Sequence, residues 1–486
     1  MSAEQIGMSL LLICLALLVG KWVRTRIRPF QRWFIPASII AGLLVLLLGE
    51  EVLGSLVRYI GFEDAALAQG LFPDFTLEVW GALPELLISV IFASLFLGKE
   101  IPGVKKIWEI AGPQLTFGQM MSWGQYVLGL LLAVLLLVPF FDMPPEAGAL
   151  IEISFEGGHG TAAGLAGTFE QVGFEEGTDL ALGLATVSML SGVIICIFLV
   201  NWGARNNKTE HIETPRDMPS EELKGMVAEE EQESAGKLTT KPESMEPLTL
   251  HIGLIAASIL IGYVVLEGFI LLEKWTWGRN TDMEFMTYVP LFTFAMLGSV
   301  LIQIVLGRMG KSYLISRGLI VRIQGLALDL LIVSALGTLS LSVIGDNLVP
   351  FLMLAAVGLG WSVFTFMILA PRMIPKHWFE RGMADLGQSL GMTATGLLML
   401  RIVDGDNRTH SVESFGYKQL LFEPILGGGL FTALSVPLIY QFGPYPVLIG
   451  TALLTAGWLA LGLFSFRQEN MMGALRTMLG RKPYDL

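Results

Sequence analysis

"SFEGGHGTAAGLAGTF", Ser154 to Phe169, interrupts a chain that is otherwise a succession of apolar runs. Five glycines and two threonines surround a single histidine, His159. The flanking runs are long enough to cross ~30 Å of hydrocarbon, which takes about 20 helical residues. The 486 residues are 53% hydrophobic and only 15% charged, whereas a soluble domain carries roughly a quarter charged residues. An all-α polytopic membrane protein is therefore expected. Its 55 glycines and 22 prolines fit, because membrane helices tolerate both when neighbours satisfy the freed backbone.

Eleven spans are expected, at about 6–19, 33–49, 81–97, 118–138, 178–201, 249–272, 287–306, 324–344, 349–370, 420–441 and 446–466. No Lys or Arg precedes the first run and five follow it, from Lys21 to Arg32. That polarity is the reverse of a cleavable signal peptide. Cytoplasmic loops carry the excess of Lys and Arg. With the N-terminus outside, all 31 basic residues except Arg58, Lys274 and Arg279 fall inside, the C-terminal tail included. The expected location is the inner or plasma membrane. Cys14 and Cys196 lie within apolar runs and suggest neither a disulfide nor a metal site. No basic tract points to nucleic acid. Residues 203–247, with 11 acidic and 6 basic side chains, form a cytoplasmic linker. Within it, "MPSEELKGMVAEEEQES" can form one short exposed helix, and a regulatory docking role is the alternative to a plain linker.

The linker separates two self-similar halves, 1–202 and 248–441, with an added span and tail at 442–486. "GALPELLI" (81–88) matches "GLALDLLI" (325–332), "FIPASIIAGLLVLLLG" from Phe34 resembles "YVPLFTFAMLGSVLIQ" from Tyr288, and "GTAAGL" (160–165) overlays "MTATGL" (392–397). Five spans before the linker put the second copy upside down, the inverted repeat of secondary transporters.

The opening stretch then has a place. Glu146 to Glu156 as helix rises about 16 Å, half the hydrocarbon. Gly157 and Gly158 break it, and a second limb returns, so a re-entrant hairpin is expected at about 146–173. Its copy, "RGMADLGQSLGMTATGLLMLRIVD" (381–404), forms a second hairpin at about 378–403, entering from the other side. N–H groups at the starts of the returning limbs suit a carboxylate, and glycine lets backbone approach a ligand. Carbonyls ending the first limbs suit sodium. The candidate substrate set is Gly157, Gly158, His159, Gly160, Thr161, Ser389, Gly391, Met392, Thr393 and Arg401. The candidate sodium set is Ser154, Glu156, Asp385, Gln388 and Thr395, with no transition metal and no cofactor. His159 is a substrate contact or a hinge. Glu156 binds a cation or pairs with another span, Arg401 grips a carboxylate or anchors at the cytoplasm, and Glu85 and Asp329 are structural or gating.

"GGHGTAAG", the second small-residue hairpin and the inverted arrangement together resemble the bacterial glutamate:sodium symporter family. The second motif lacks the histidine of the best-known glutamate carriers. The resemblance implies import of an anionic amino acid with sodium, by a transport domain sliding as an elevator in a homodimer. Another small dicarboxylate (aspartate, citrate or malate), with sodium or proton coupling, stays open as the cargo. A membrane enzyme is disfavoured: there is no H-E-x-x-H, no nucleophile elbow and no Cys/His metal spacing.

Overall fold

A computed structural model describes residues 2–32, 35–62, 65–99, 104–206, 208–209, 224–227, 229, 232, 234–276, 286, 289–404 and 408–466. Its principal helices are α1 (Ala3–Arg26), α2 (Ala37–Leu48), α3 (Asp74–Ala93), α4 (Val104–Leu132), α5 (Leu150–Phe155), α6 (Gly158–Gly164), α7 (Gly177–Arg205), α8 (Pro247–Trp275), α9 (Leu291–Arg308), α10 (Arg317–Gly337), α11 (Leu348–Phe364), α12 (Trp378–Ser389), α13 (Thr393–Val403), α14 (Ser411–Phe422), α15 (Leu430–Phe442) and α16 (Pro444–Ser465). Among the described residues there is no strand. Among the described residues, ten helices are long and apolar enough to cross a membrane.

Ten of the expected spans have such a helix, but 420–441 does not. There α14 ends at Phe422, a turn follows, and the short α15 begins at Leu430. Pro424 has no N–H to continue the ladder, and Gly427, Gly428 and Gly429 follow it. The exposed helix expected in the linker falls largely outside the described residues, and so does the tail beyond Phe466.

The chain divides into two compact units, 1–100 with 159–183 and 219–347, and 101–158 with 184–218 and 348–486. In the first unit, Ile13, Ala41, Val45, Val79, Trp80 and Val333 join α1, α2, α3 and α10 in one apolar cluster. The Trp80 indole donates to the Ser9 carbonyl at 3.0 Å, so its polar edge is satisfied. A second cluster joins the end of α3 to α8, α9 and α10. Small residues set the closest approaches: at Gly262 of α8 a Cβ would lie 2.5 Å from the Ala295 nitrogen of α9. Such contacts suit a setting in which packing, not the hydrophobic effect, joins helices.

One succession of elements occurs twice along the chain. α4 widens into a π-turn at Ala133–Leu137, a proline-bearing turn Val138–Phe141 follows, and a broken helix pair comes next. α11 widens into a π-turn at Thr365–Leu369, Ala370–Met373 follows, and the broken pair α12–α13 comes next. Pro139 and Pro371 supply the local cause, since neither can donate to the carbonyl four residues back.

Candidate functional site

The first broken pair begins with a 3-10 turn, Pro145–Ala149, and continues as α5. Every residue from Ala147 to Phe155 is buried. At the end of α5 the amides of Glu156 and Gly157 both donate to the Glu152 carbonyl, at 3.0 and 3.1 Å. Gly158 then adopts φ +69°, a left-handed geometry that glycine enters without penalty. The ladder stops there, as expected. The Glu152 carboxylate is fully buried and accepts three hydrogen bonds: from the Tyr126 hydroxyl (2.5 Å), the Gly427 amide (2.9 Å) and the Thr432 hydroxyl (3.0 Å). Glu156, one turn on, is 4% exposed, and its Oε2 has no hydrogen-bond partner among the described residues. The buried Ser154 hydroxyl also lacks one there, while the Lys418 ammonium and, more weakly, the Ser122 hydroxyl of α4 act on the Glu156 carboxylate.

The second broken pair is α12 and α13, which pack against each other. Between them, the Gly391 and Met392 amides donate to the Gln388 carbonyl at 3.1 and 2.8 Å. Met392 sits at φ +93°, ψ 169°, a region almost reserved for glycine, costing about 1–3 kcal/mol. Gly391 is needed for space: a Cβ there would lie 2.7 Å from the Thr395 hydroxyl. A Cβ on Gly158 would lie 3.6 Å from Met392, so the two breaks are neighbours within this unit.

Most polar residues of the second pair are engaged, although the Asp385 Oδ2 is buried with no hydrogen-bond partner among the described residues. Ser389 accepts from the Gln125 amide (2.8 Å) and lies 3.1 Å from the Ser362 hydroxyl. Thr393 donates to Glu423 (3.1 Å) and accepts from Gln419 (2.6 Å). Thr395 donates to the Gly391 carbonyl at 3.0 Å. Asp385 is ion-paired with Lys418 at 2.7 Å, and Gln388 accepts from the same ammonium at 2.7 Å. The Arg401 side chain lies outside the described residues.

Residues that the sequence reading passed over complete the arrangement. Lys418, counted there as a cytoplasmic positive charge, is 1% exposed. The turn between α14 and α15 touches both broken pairs. Gly427, at φ +65°, donates to Glu152, and a Cβ on it would lie 3.6 Å from the Glu156 carbonyl and 4.0 Å from the Gln388 amide. On α4, Thr116, Gln119, Ser122 and Gln125 recur every third residue and are all buried. That stripe in an apolar helix was a legible sign of an inward polar face.

His159, Gly160 and Thr161 belong to the first unit. His159 and Thr161 are each 1% exposed. Cβ atoms on Gly160 and Gly164 would lie 3.1 and 3.0 Å from Ile88, so glycine there lets the returning limb rest on α3. A cavity of about 450 Å³ beside it is lined by Glu85, Ser89, Thr168 and Gln171 among apolar residues. Among the described residues, no group of three or more His, Cys, Asp or Glu could hold a metal ion of that kind.

A family model described as sodium/glutamate symporter matches residues 4–403. No curated protein matches the chain.

Proposed function

The chain belongs to the sodium/glutamate symporter family, and from that premise we propose that it carries L-glutamate into the cell together with sodium. The observation that carries this reading is the buried Glu156 carboxylate at the break of α5, with one oxygen left without a partner among the described residues. An ionised group at that depth costs several kcal/mol unless something pairs with it. A sodium ion supplies the remaining charge, and the Ser122 hydroxyl at Glu156 offers a hard oxygen ligand in the same unit. The N-terminus of α13, with Thr393 at its first position, is suited to a substrate carboxylate.

In this proposal both broken pairs are re-entrant, each dipping into the membrane and returning on its own side. The halves 1–202 and 248–441 are inverted repeats, joined by a cytoplasmic linker and followed by the 442–486 segment. The twofold succession of π-turn, proline-bearing turn and broken pair supports the repeat. The N-terminus lies outside and the C-terminus inside. The elevator cycle and the homodimer come from the family resemblance as parts of the same proposal, in which the chain is a carrier and not an enzyme.

The test is uptake into proteoliposomes under imposed gradients. Glutamate entry should follow a sodium gradient and be unaffected when the pH gradient is collapsed at constant membrane potential. Competition by aspartate, citrate and malate defines the cargo. Uptake sustained without sodium overturns the proposal.

A further inference from the structure

The second broken pair already contains a cation. Lys418 lies on α14 of the second unit, and its ammonium meets the Asp385 carboxylate at 2.7 Å and the Gln388 side-chain oxygen at 2.7 Å. The Phe422 ring lies 4.0 Å away and the Phe415 ring 5.3 Å, both within cation–π range. Gly118 of α4 clears the space: a Cβ there would lie 2.8 Å from the ammonium nitrogen. Lysine and aspartate side chains are both 1% exposed. Asp385 and Gln388 are an anionic and a neutral oxygen ligand near the end of a broken helix. That is the donor set and position that half-helix ends use for alkali cations.

The first pair differs at one aligned position, although Lys418 also acts on Glu156 electrostatically. Glu156 stands where Gln388 stands in the alignment of "GTAAGL" with "MTATGL". Glu156 keeps an oxygen without a partner among the described residues, whereas Gln388 is occupied by the lysine. An ordinary buried ion pair needs no polar third member, no aromatic lid and no glycine notch opposite. Here all three enclose the nitrogen.

We propose that the Lys418 ammonium is a tethered replacement for an alkali cation, filling the position that Asp385 and Gln388 would otherwise build. The second pair then takes no sodium of its own, and the coupling ion enters at the first. The statement about coupling rests on the symporter reading; the filled position does not.

Equilibrium binding of radiolabelled sodium to the purified, detergent-solubilised full chain separates the two. Lys418→Ala leaves a carboxylate uncompensated in a space the size of the missing ammonium. It should bind one sodium ion per chain more than the wild type. Lys418→Met combined with Asp385→Asn removes both charges and should bind the wild-type number. If the wild type binds no sodium but Lys418→Ala binds one, the symporter reading fails and this inference stands. If Lys418→Ala binds the wild-type number, the inference fails. It also fails if Lys418→Ala cannot be recovered folded at high sodium while the doubly neutral variant can, because sodium then cannot stand in for the ammonium.

Discussion

α5 with Gly157 and Gly158, and α12 with Leu390 to Met392, end alike in a buried limb and a backbone break, yet they treat charge in opposite ways. The first limb carries two buried carboxylates. Glu152 is held by three neutral donors, and Glu156 is left with an oxygen lacking a hydrogen-bond partner among the described residues. The second limb carries Asp385, and a lysine thirty-three residues on neutralises it. In the proposed reading, two similar limbs serve as an acceptor of positive charge and as a site that supplies its own. Polarity alone does not make an ion site; what decides is whether the protein itself provides the counter-charge.

One isosteric change applied to both limbs should break the comparison most visibly. Asp385→Asn strands the Lys418 ammonium, and losing one partner of a buried pair costs about 3–5 kcal/mol. Glu156→Gln removes a charge that has no ionic partner at 4.0 Å or less among the described residues, so stability should be unchanged or higher. Thermal unfolding in detergent without sodium measures both. Equal losses from the two changes would mean that the limbs are electrostatically equivalent.

A smaller effect sharpens the role of Glu152. Tyr126→Phe removes the shortest of its three hydrogen bonds and should cost about 1.5–3 kcal/mol, the range for a bond to a charged group. Thr451→Ala in α16, whose hydroxyl only returns to carbonyls of its own helix, those of Val447 and Leu448, is the control and should move stability far less. Equal shifts would show that the tyrosine merely fills space.

Much of this was open to reading and some was not, for physical reasons. Apolar runs of span length identify themselves, and Gly157-Gly158 announces a break because paired glycines inside a helix have little other use. The turn from Glu423 to Gly429 was missed because "QLLFEPILGGGLFTALSVPLIY" is apolar on both sides and its summed hydropathy imitates one span. Its Glu-Pro step and three glycines were the local sign. Lys418 was illegible for another reason: a lone lysine at the end of an apolar run looks the same whether it reaches the cytoplasm or a carboxylate distant in sequence. Ser389 and Thr393 were recognised as polar, but their bonds to Gln125, Ser362, Gln419 and Glu423 are tertiary facts. Only their being spoken for separates them from Ser154 and Glu156.

The smallest predicted effect concerns Met392, a non-glycine residue in a backbone region suited to glycine. Met392→Gly should be more stable than Met392→Ala by about 1–3 kcal/mol, despite glycine's greater cost in chain entropy. The same pair of changes at Thr393, inside α13, should favour alanine by up to about 1 kcal/mol. A preference for alanine at both positions would remove the strain and leave the two breaks alike in backbone.

The central claim is that the first limb, and not the second, receives the coupling ion. The most direct test counts sodium ions bound per chain in the wild type, in Glu156→Gln, and in Asp385→Asn with Lys418→Met. Glu156→Gln should lose the sodium that the wild type binds, and the doubly neutral variant should keep it. Sodium retained by Glu156→Gln and lost from the double variant would contradict the account.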